Sequence, residues 1–162
     1  MTVLTLKAKN DYLQKVASTR DFVKAIAEFV WNSLDADSTE VFVDFIKNAL
    51  GGIESMVIRD NGTGITSTRA AHDFESLGES WKLQKTHTPM LSRAVHGKEG
   101  QGRLRFFSLA KRAKWDSVYI EENKRYRLTI EIDADHLQTS NVSEPVVLAE
   151  DDPTGTVVEL AP

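Results

Sequence analysis

Residues 28–36 read Glu28-Phe29-Val30-Trp31-Asn32-Ser33-Leu34-Asp35-Ala36, and they sit in a run from Arg20 to Ala36 that contains neither glycine nor proline. Val23, Ile26, Val30 and Leu34 recur at spacings of three and four, and Ser18 or Thr19 can cap the start, so a helix is expected from Arg20 to about Ala36. Glu28, Asn32 and Asp35 are spaced by four and three, which puts them on one stripe opposite Val23, Val30 and Leu34. A solvated polar face is the plain account of that stripe. Trp31 fits it poorly, because an indole gains nothing from lying beside a fully wet face. The chemical account is that a carboxylate one turn before a carboxamide can activate a water while the amide oxygen binds Mg²⁺, a hard ion that prefers oxygen.

Downstream of this helix, Glu40 to Ile46 and Ile53 to Arg59 are β-branched, alternating runs separated by Gly51-Gly52, and read as an antiparallel pair. The second run ends in Asp60-Asn61-Gly62-Thr63-Gly64. Asn-Gly is a favoured turn dipeptide, which is one account of it. The other is that the glycines let backbone approach a flat ligand while the Asp60 carboxylate accepts from an exocyclic amine, which would select adenine over guanine. Thr66 to Leu77 reads as a helix, and regular periodicity then lapses from Gly78 to Glu99, a length of mobile loop that is usually functional in a compact domain. Gly97-Lys98-Glu99-Gly100-Gln101-Gly102 opens an expected helix from Gly102 to Lys114 carrying Leu104, Phe107, Leu109 and Ala110. Glycines at a helix N-terminus expose N–H groups toward phosphate, although a flexible loop explains the same pattern. It is neither a Walker A loop nor a dinucleotide fingerprint, since no Gly-Lys-Ser/Thr follows and no βαβ unit surrounds it.

Strands are further expected over Trp115 to Glu121, Arg125 to Ile132 and Thr156 to Leu160, with a weaker one from Pro145 to Leu148. At the front, residues 2–7 read as a short strand and Asp11 to Ala17 as a short helix. Helices and strands do not alternate regularly, which implies an α+β sandwich, one mixed sheet covered by helices. Gly155-Thr156, after Asp151, Asp152 and Pro153, is alone an ordinary turn into a strand.

The 162 residues, 41% hydrophobic, suffice for one core, and the absence of cysteine excludes disulfides, thiolate metal sites and a thiol nucleophile. No apolar run has the length of a membrane span and the first ten residues lack a signal-peptide core, so a soluble, intracellular, cytoplasmic protein with no membrane partner is expected. The formal net charge is −4, yet from Lys82 to Lys114 nine cations face only Glu99, about +8, which leaves about −12 elsewhere.

Taken in order, the four motifs resemble the signature of the GHKL superfamily, which comprises DNA gyrase B, the ninety-kilodalton heat-shock chaperone, histidine kinases and MutL. Glu28 to Ala36 resembles the ExxxNxxDA box, Asp60 to Gly64 the DxGxG box, Gly97 to Gly102 the GxxGxG box, and Gly155-Thr156 the closing Gly-Thr. The likeness spans Arg20 to Leu160 and implies a Bergerat fold, a mostly antiparallel sheet under helices with a mobile ATP lid at about 66–102. It implies ATP and Mg²⁺ as cofactors. Glu28 would be the general base, Asn32 the Mg²⁺ ligand, and Asp35 would shape the nucleotide pocket. Asp60 would take the adenine amine, with Gly62 and Gly64 forming the pocket and Thr156 adding a hydroxyl or water-mediated contact. Gly97, Gly100, Gln101, Gly102 and Arg103 would lie at the phosphates. Gly78-Glu79-Ser80-Trp81-Lys82 resembles the lid start of MORC ATPases and MutL, so Ser80 and Lys82 are also candidates for the phosphates.

Hydrolysing members keep a glutamate where Glu28 stands and histidine kinases usually lack it, and none of His72, His87, His96 and His136 has a phosphoacceptor setting. The expectation is therefore a slow, Mg-dependent ATPase, with residues 1–162 the N-terminal domain of a longer protein. It would act as a conformational or dimerisation switch, an ATP-dependent homodimer in the full-length protein, with a DNA or protein client reached through a downstream domain. The alternatives are a nucleotide-sensing module without useful hydrolysis and, third, a protein-histidine kinase.

Overall fold

The computed structural model describes residues 1–5, 21–75, 86–96, 106–136 and 139–162. In chain order the elements are β1 (Thr2–Thr5), α1 (Phe22–Asp35), β2 (Val41–Lys47), β3 (Ile53–Asp60), α2 (Ser67–Glu75), β4 (Arg112–Glu121), β5 (Lys124–Asp133), β6 (Thr139–Val142), β7 (Val146–Val147) and β8 (Gly155–Ala161). The eight strands form one sheet in the order β1-β6-β5-β4-β8-β3-β2, with β7 added beside β5. Every pairing among the described strands is antiparallel. This is the α+β sandwich expected from the sequence, with its helices on one face.

Period-two alternation decides which face that is. Ala113, Trp115, Ser117 and Tyr119 of β4 are buried, as are Leu128, Ile130 and Ile132 of β5, Thr156, Val158 and Leu160 of β8, and Met56 and Ile58 of β3. The register lines them up: Ile130 lies beside Trp115, Trp115 beside Val158, Val158 beside Ile58, and Ile58 beside Val43. Phe29 of α1, Phe74 of α2 and Phe106 close over Trp115, their ring centroids 6.4, 5.2 and 6.0 Å from it. The opposite face is wet and carries the pairs Arg59–Asp44, Lys114–Glu131 and Arg127–Asp116. Exposed pairs of this kind add little to stability. Two helices rest on different parts of the covered face, α1 against β2 and β3, α2 against β1 and β6.

The structure corrects the sequence reading at four places. First, α1 turns the side carrying Ala25, Phe29 and Ser33 toward the sheet, while Val23 is 79% exposed. Small residues one turn either side of Phe29 let the helix approach closely, which the larger Val30 and Leu34 would not. Second, the helix expected from Gly102 to Lys114 gives way to a 3₁₀ turn at 106–108, and β4 already begins at Arg112. The buried alternation from Ala113 governs that stretch, and the part before Phe106 lies outside the described residues. Third, β6 was not anticipated. Thr139-Ser140-Asn141-Val142 has little strand propensity of its own and is held by ladders to β1 and β5 on either side. Fourth, 86–96, inside the stretch read as irregular, is a small hairpin closed by a His87–Ala94 bridge and by N–H bonds from Thr88 to Arg93 O and from Val95 to Thr86 O. The helix expected at Asp11 to Ala17 lies outside the described residues.

Trp115 is the hub at which both helices and the 106–108 turn meet the sheet. Trp115→Ala should cost about 3–5 kcal/mol, read as a lowered urea midpoint, whereas Val23→Ala on the exposed side of α1 should leave the midpoint nearly unchanged.

Candidate functional site

One ladder row on the covered face departs from the apolar pattern. Leu128 of β5 is followed by Ser117 of β4, Thr156 of β8, Asp60 of β3 and Val41 of β2, three adjacent polar residues in an otherwise hydrophobic surface. Asp60 Oδ2 accepts from Ser33 Oγ of α1 at 2.8 Å, and Oδ1 accepts from the N–H groups of Gly62 at 2.9 Å and Thr156 at 3.2 Å. An ionised carboxylate offers about four acceptor positions, so one on Oδ2 stays open beyond these three donors. Burial pushes the Asp60 carboxyl above the ordinary aspartate range, and the Gly62, Ser33 and Thr156 donors take back part of that rise.

The turn after Asp60 is fitted against its surroundings. A Cβ on Gly62 would lie 2.6 Å from Ala36 O, and Gly64 has φ +75° with a Cβ position 2.2 Å from Val118 O, so neither tolerates a side chain. Thr63 N–H bonds Ala36 O at 2.8 Å, and Ile65 N–H bonds Ser117 Oγ at 2.8 Å, which ties the turn to α1 on one side and β4 on the other. The Asn61 side chain accepts from Thr39 and Glu40 N–H and donates to Thr39 Oγ1, bracing the entry to β2.

Beyond the C-terminal end of α1 a second anchorage holds the 86–96 hairpin. Asp35 is buried and accepts from His96 N–H at 3.0 Å. Asp37, at φ +59°, accepts from Met90 N–H at 2.9 Å and Leu91 N–H at 3.1 Å, and Arg93 donates to Ser38 O. Burial alone would raise the Asp37 carboxyl; the Thr88 hydroxyl, the two amides and the Arg93 charge outweigh it and hold it below the usual range. His96 stacks on Trp31, ring centroids 3.8 Å apart and planes 16° from parallel, which explains an indole beside a polar stripe. Arg69 of α2 sits in the fields of Asp73 and Asp35, which oppose the fall that burial imposes on its guanidinium.

Of the residues expected from sequence, Asp60, Gly62, Gly64 and Thr156 converge in this one network. Glu28, half-buried, and Asn32, exposed, lie one turn apart on α1, the helix that Ser33 ties to Asp60. Asp35 lies at the end of that helix, engaged with the hairpin. Ser80, Lys82, Gly97, Gly100, Gln101, Gly102 and Arg103 lie outside the described residues. Sequence reasoning missed Ser33 and Ser117. Their signal was a small polar residue on an apolar register, Ser33 after Ala25 and Phe29, Ser117 between Trp115 and Tyr119. A shallow cavity of about 380 Å³ beside Asp60 is lined by Glu40, Phe42, Arg59 and Asn61. Phe42 and Arg59 point to the opposite face from the Asp60 row, so it is a different surface from the one α1 borders.

Fold and network together define an α+β sandwich with a partly buried acceptor at a glycine turn on its covered face. Residues 20–156 match the family described as histidine kinase-, DNA gyrase B-, and HSP90-like ATPase, and the chain belongs to that family. ATP binding and ATPase chemistry are the general properties of that family. Among solved structures, the N-terminal domain of a DNA repair protein is similar at 22% identity and TM-score 0.51, a likeness in fold. The likeness covers 93% of this chain and 39% of the solved chain. No curated protein matches the sequence. Among the described residues no helix is long and apolar enough to cross a membrane.

Because the Asp60 carboxyl titrates higher in the folded protein than in the unfolded chain, its contribution to stability is complete below the ordinary aspartate range and is lost as pH rises through the raised value. Asp60→Asn removes that dependence. The melting temperature of the wild type should therefore fall relative to D60N as pH climbs through this window, and parallel Tm–pH curves would refute the assignment. Gly64→Ala should destabilise by more than about 1 kcal/mol, because φ is positive and Val118 O blocks the added carbon; a denaturant titration checks it.

Proposed function

We propose that this domain binds ATP with Mg²⁺ and hydrolyses it slowly, acting as a nucleotide-driven switch. The observation that carries the reading is the open acceptor on half-buried Asp60, framed by Thr156 and the Gly62–Gly64 backbone and tied through Ser33 to the helix bearing Glu28 and Asn32. An adenine amine supplies the one donor that Asp60 still lacks. Guanine presents a carbonyl at that position and would face the carboxylate with a second acceptor.

The donor set also suits Mg²⁺. Among the described residues no group of three His, Asp or Glu side chains forms a cage. Mg²⁺ is commonly held by one or two protein oxygens together with substrate phosphates and water, and the exposed Asn32 amide oxygen fits that part. The ion would supply charge neutralisation at the phosphates. Glu28, one turn earlier on the same helix, is the base that orients and deprotonates the attacking water. Asp35 shapes the pocket from the end of α1, and Ser80, Lys82, Gly97, Gly100, Gln101, Gly102 and Arg103 complete the phosphate side by resemblance. An ATP-dependent homodimer and a DNA or protein client are further parts of this reading. They rest on the family, since the chain spans less than half of the structure it resembles.

Glu28→Ala should bind ATP within about twofold of the wild type and lose about 100-fold or more in turnover. Calorimetry and phosphate release measure the two separately, and unchanged turnover would sink the general-base role. Asn32→Ala should weaken ATP binding when Mg²⁺ is present and leave Mg-free binding unaffected.

A further inference from the structure

Ser117 has so far only tied the glycine turn to β4, yet it is fully buried and its hydroxyl stands in the polar row beside Thr156. Most buried hydroxyls are hydrogen-bonded, so the partners of this one carry information. Ser117 Oγ accepts from Ile65 N–H at 2.8 Å, lies 3.0 Å from Thr156 Oγ1 and 3.4 Å from Gly155 O. It has a single proton to give. Either hydroxyl of the Ser117–Thr156 pair can donate, but Thr156 Oγ1 is the nearer of the two acceptors open to the Ser117 proton and Gly155 O lies at the limit of hydrogen-bond length, which favours donation to Thr156. The Thr156 hydroxyl, having accepted, keeps its own proton to donate.

We propose that Ser117 is a positioning residue for base recognition: its hydroxyl donates to Thr156 Oγ1 and thereby turns the Thr156 proton outward toward the ring nitrogen beside the adenine amine. The inference rests on the ATP reading and deepens it. Asp60 and Thr156 are direct ladder neighbours, so an acceptor and a donor stand side by side. Adenine offers the matching order on its Watson–Crick edge, an amine donor at N6 and an acceptor at N1. Reversing the Ser117–Thr156 bond would spend the Thr156 proton inside the protein and leave two acceptors facing the base. Ser117 thus sets the polarity of a pair whose other member, Asp60, can only accept.

The test compares ATP with 1-deaza-ATP, in which the N1 acceptor is replaced by carbon. Wild type should prefer ATP by about fivefold. Ser117→Ala should lose that preference by weakening ATP while leaving 1-deaza-ATP unchanged, Thr156→Val should do the same, and the double variant should show no further loss of preference. Should S117A fail to fold, S117C, similar in size and a weak donor, carries the same readout. If Ser117 only braces the Ile65 backbone, both nucleotides weaken equally and the inference fails while the ATP reading stands. A wild type that binds neither nucleotide overturns the ATP reading and this inference with it.

Discussion

A carboxylate drawn partly out of water beneath a helix has to be met by donors, because an unmatched charge away from solvent is costly. Asp60 meets that requirement with a donor from α1, one from its own turn and one from β8, so three separated parts of the chain must arrive together before it can be buried. The arrangement of α1 over the sheet, the path of the glycine turn and the register of β8 against β3 all converge on this one group. Its raised pKa reflects desolvation that these three donors only partly offset, while Oδ2 keeps one acceptor position open.

A similar constraint operates just beyond the same, C-terminal end of α1. Asp35 and Asp37 collect backbone amides from His96, Met90 and Leu91, and Arg93 adds a bond to Ser38 O. The hairpin is thereby fastened to the same few residues against which the Gly62 turn packs through Ala36. Residues 33–38 are thus common to both: Ser33 reaches the Asp60 network, and the residues just after it hold the hairpin. The Trp31–His96 stack adds an aromatic contact at the hairpin's trailing end, immediately before Gly97 in the chain.

The apolar part of the covered face serves this polar row. Trp115, Val158 and Ile58 form the row next to Ser117, Thr156 and Asp60, two residues along each strand, so aromatic packing over Trp115 holds the strands at the spacing the polar row needs. Side-chain alternation guarantees that the two rows share one face. The outer face, with its exposed ion pairs, is free of that demand.

Much of this was legible in the chain itself. Alternation revealed β2, β3, β5 and β8, and the absence of breakers revealed α1, because local periodicity is a property of neighbouring residues. The order of the four motifs pointed to the family, and Asp60 with its glycines to the polar turn that the covered face is built around. What periodicity could not reveal was which side of α1 faces the sheet. Val23, Val30 and Leu34 are the more hydrophobic stripe, but closeness of approach favours Ala25, Phe29 and Ser33, and that depends on a partner surface distant in sequence. β6 exists only through its neighbours, and β4 starts before the expected helix would have ended because its residues are needed as a central strand. Ser33 and Ser117 look like ordinary small residues until the ladder sets Ser117 beside Thr156 and the helix lowers Ser33 onto Asp60. The sequence by itself determined most of the elements and the residue types of the site; only the tertiary structure decided β6, the start of β4 and the partners of each polar group, because a buried hydrogen bond is made between groups that no local rule brings together.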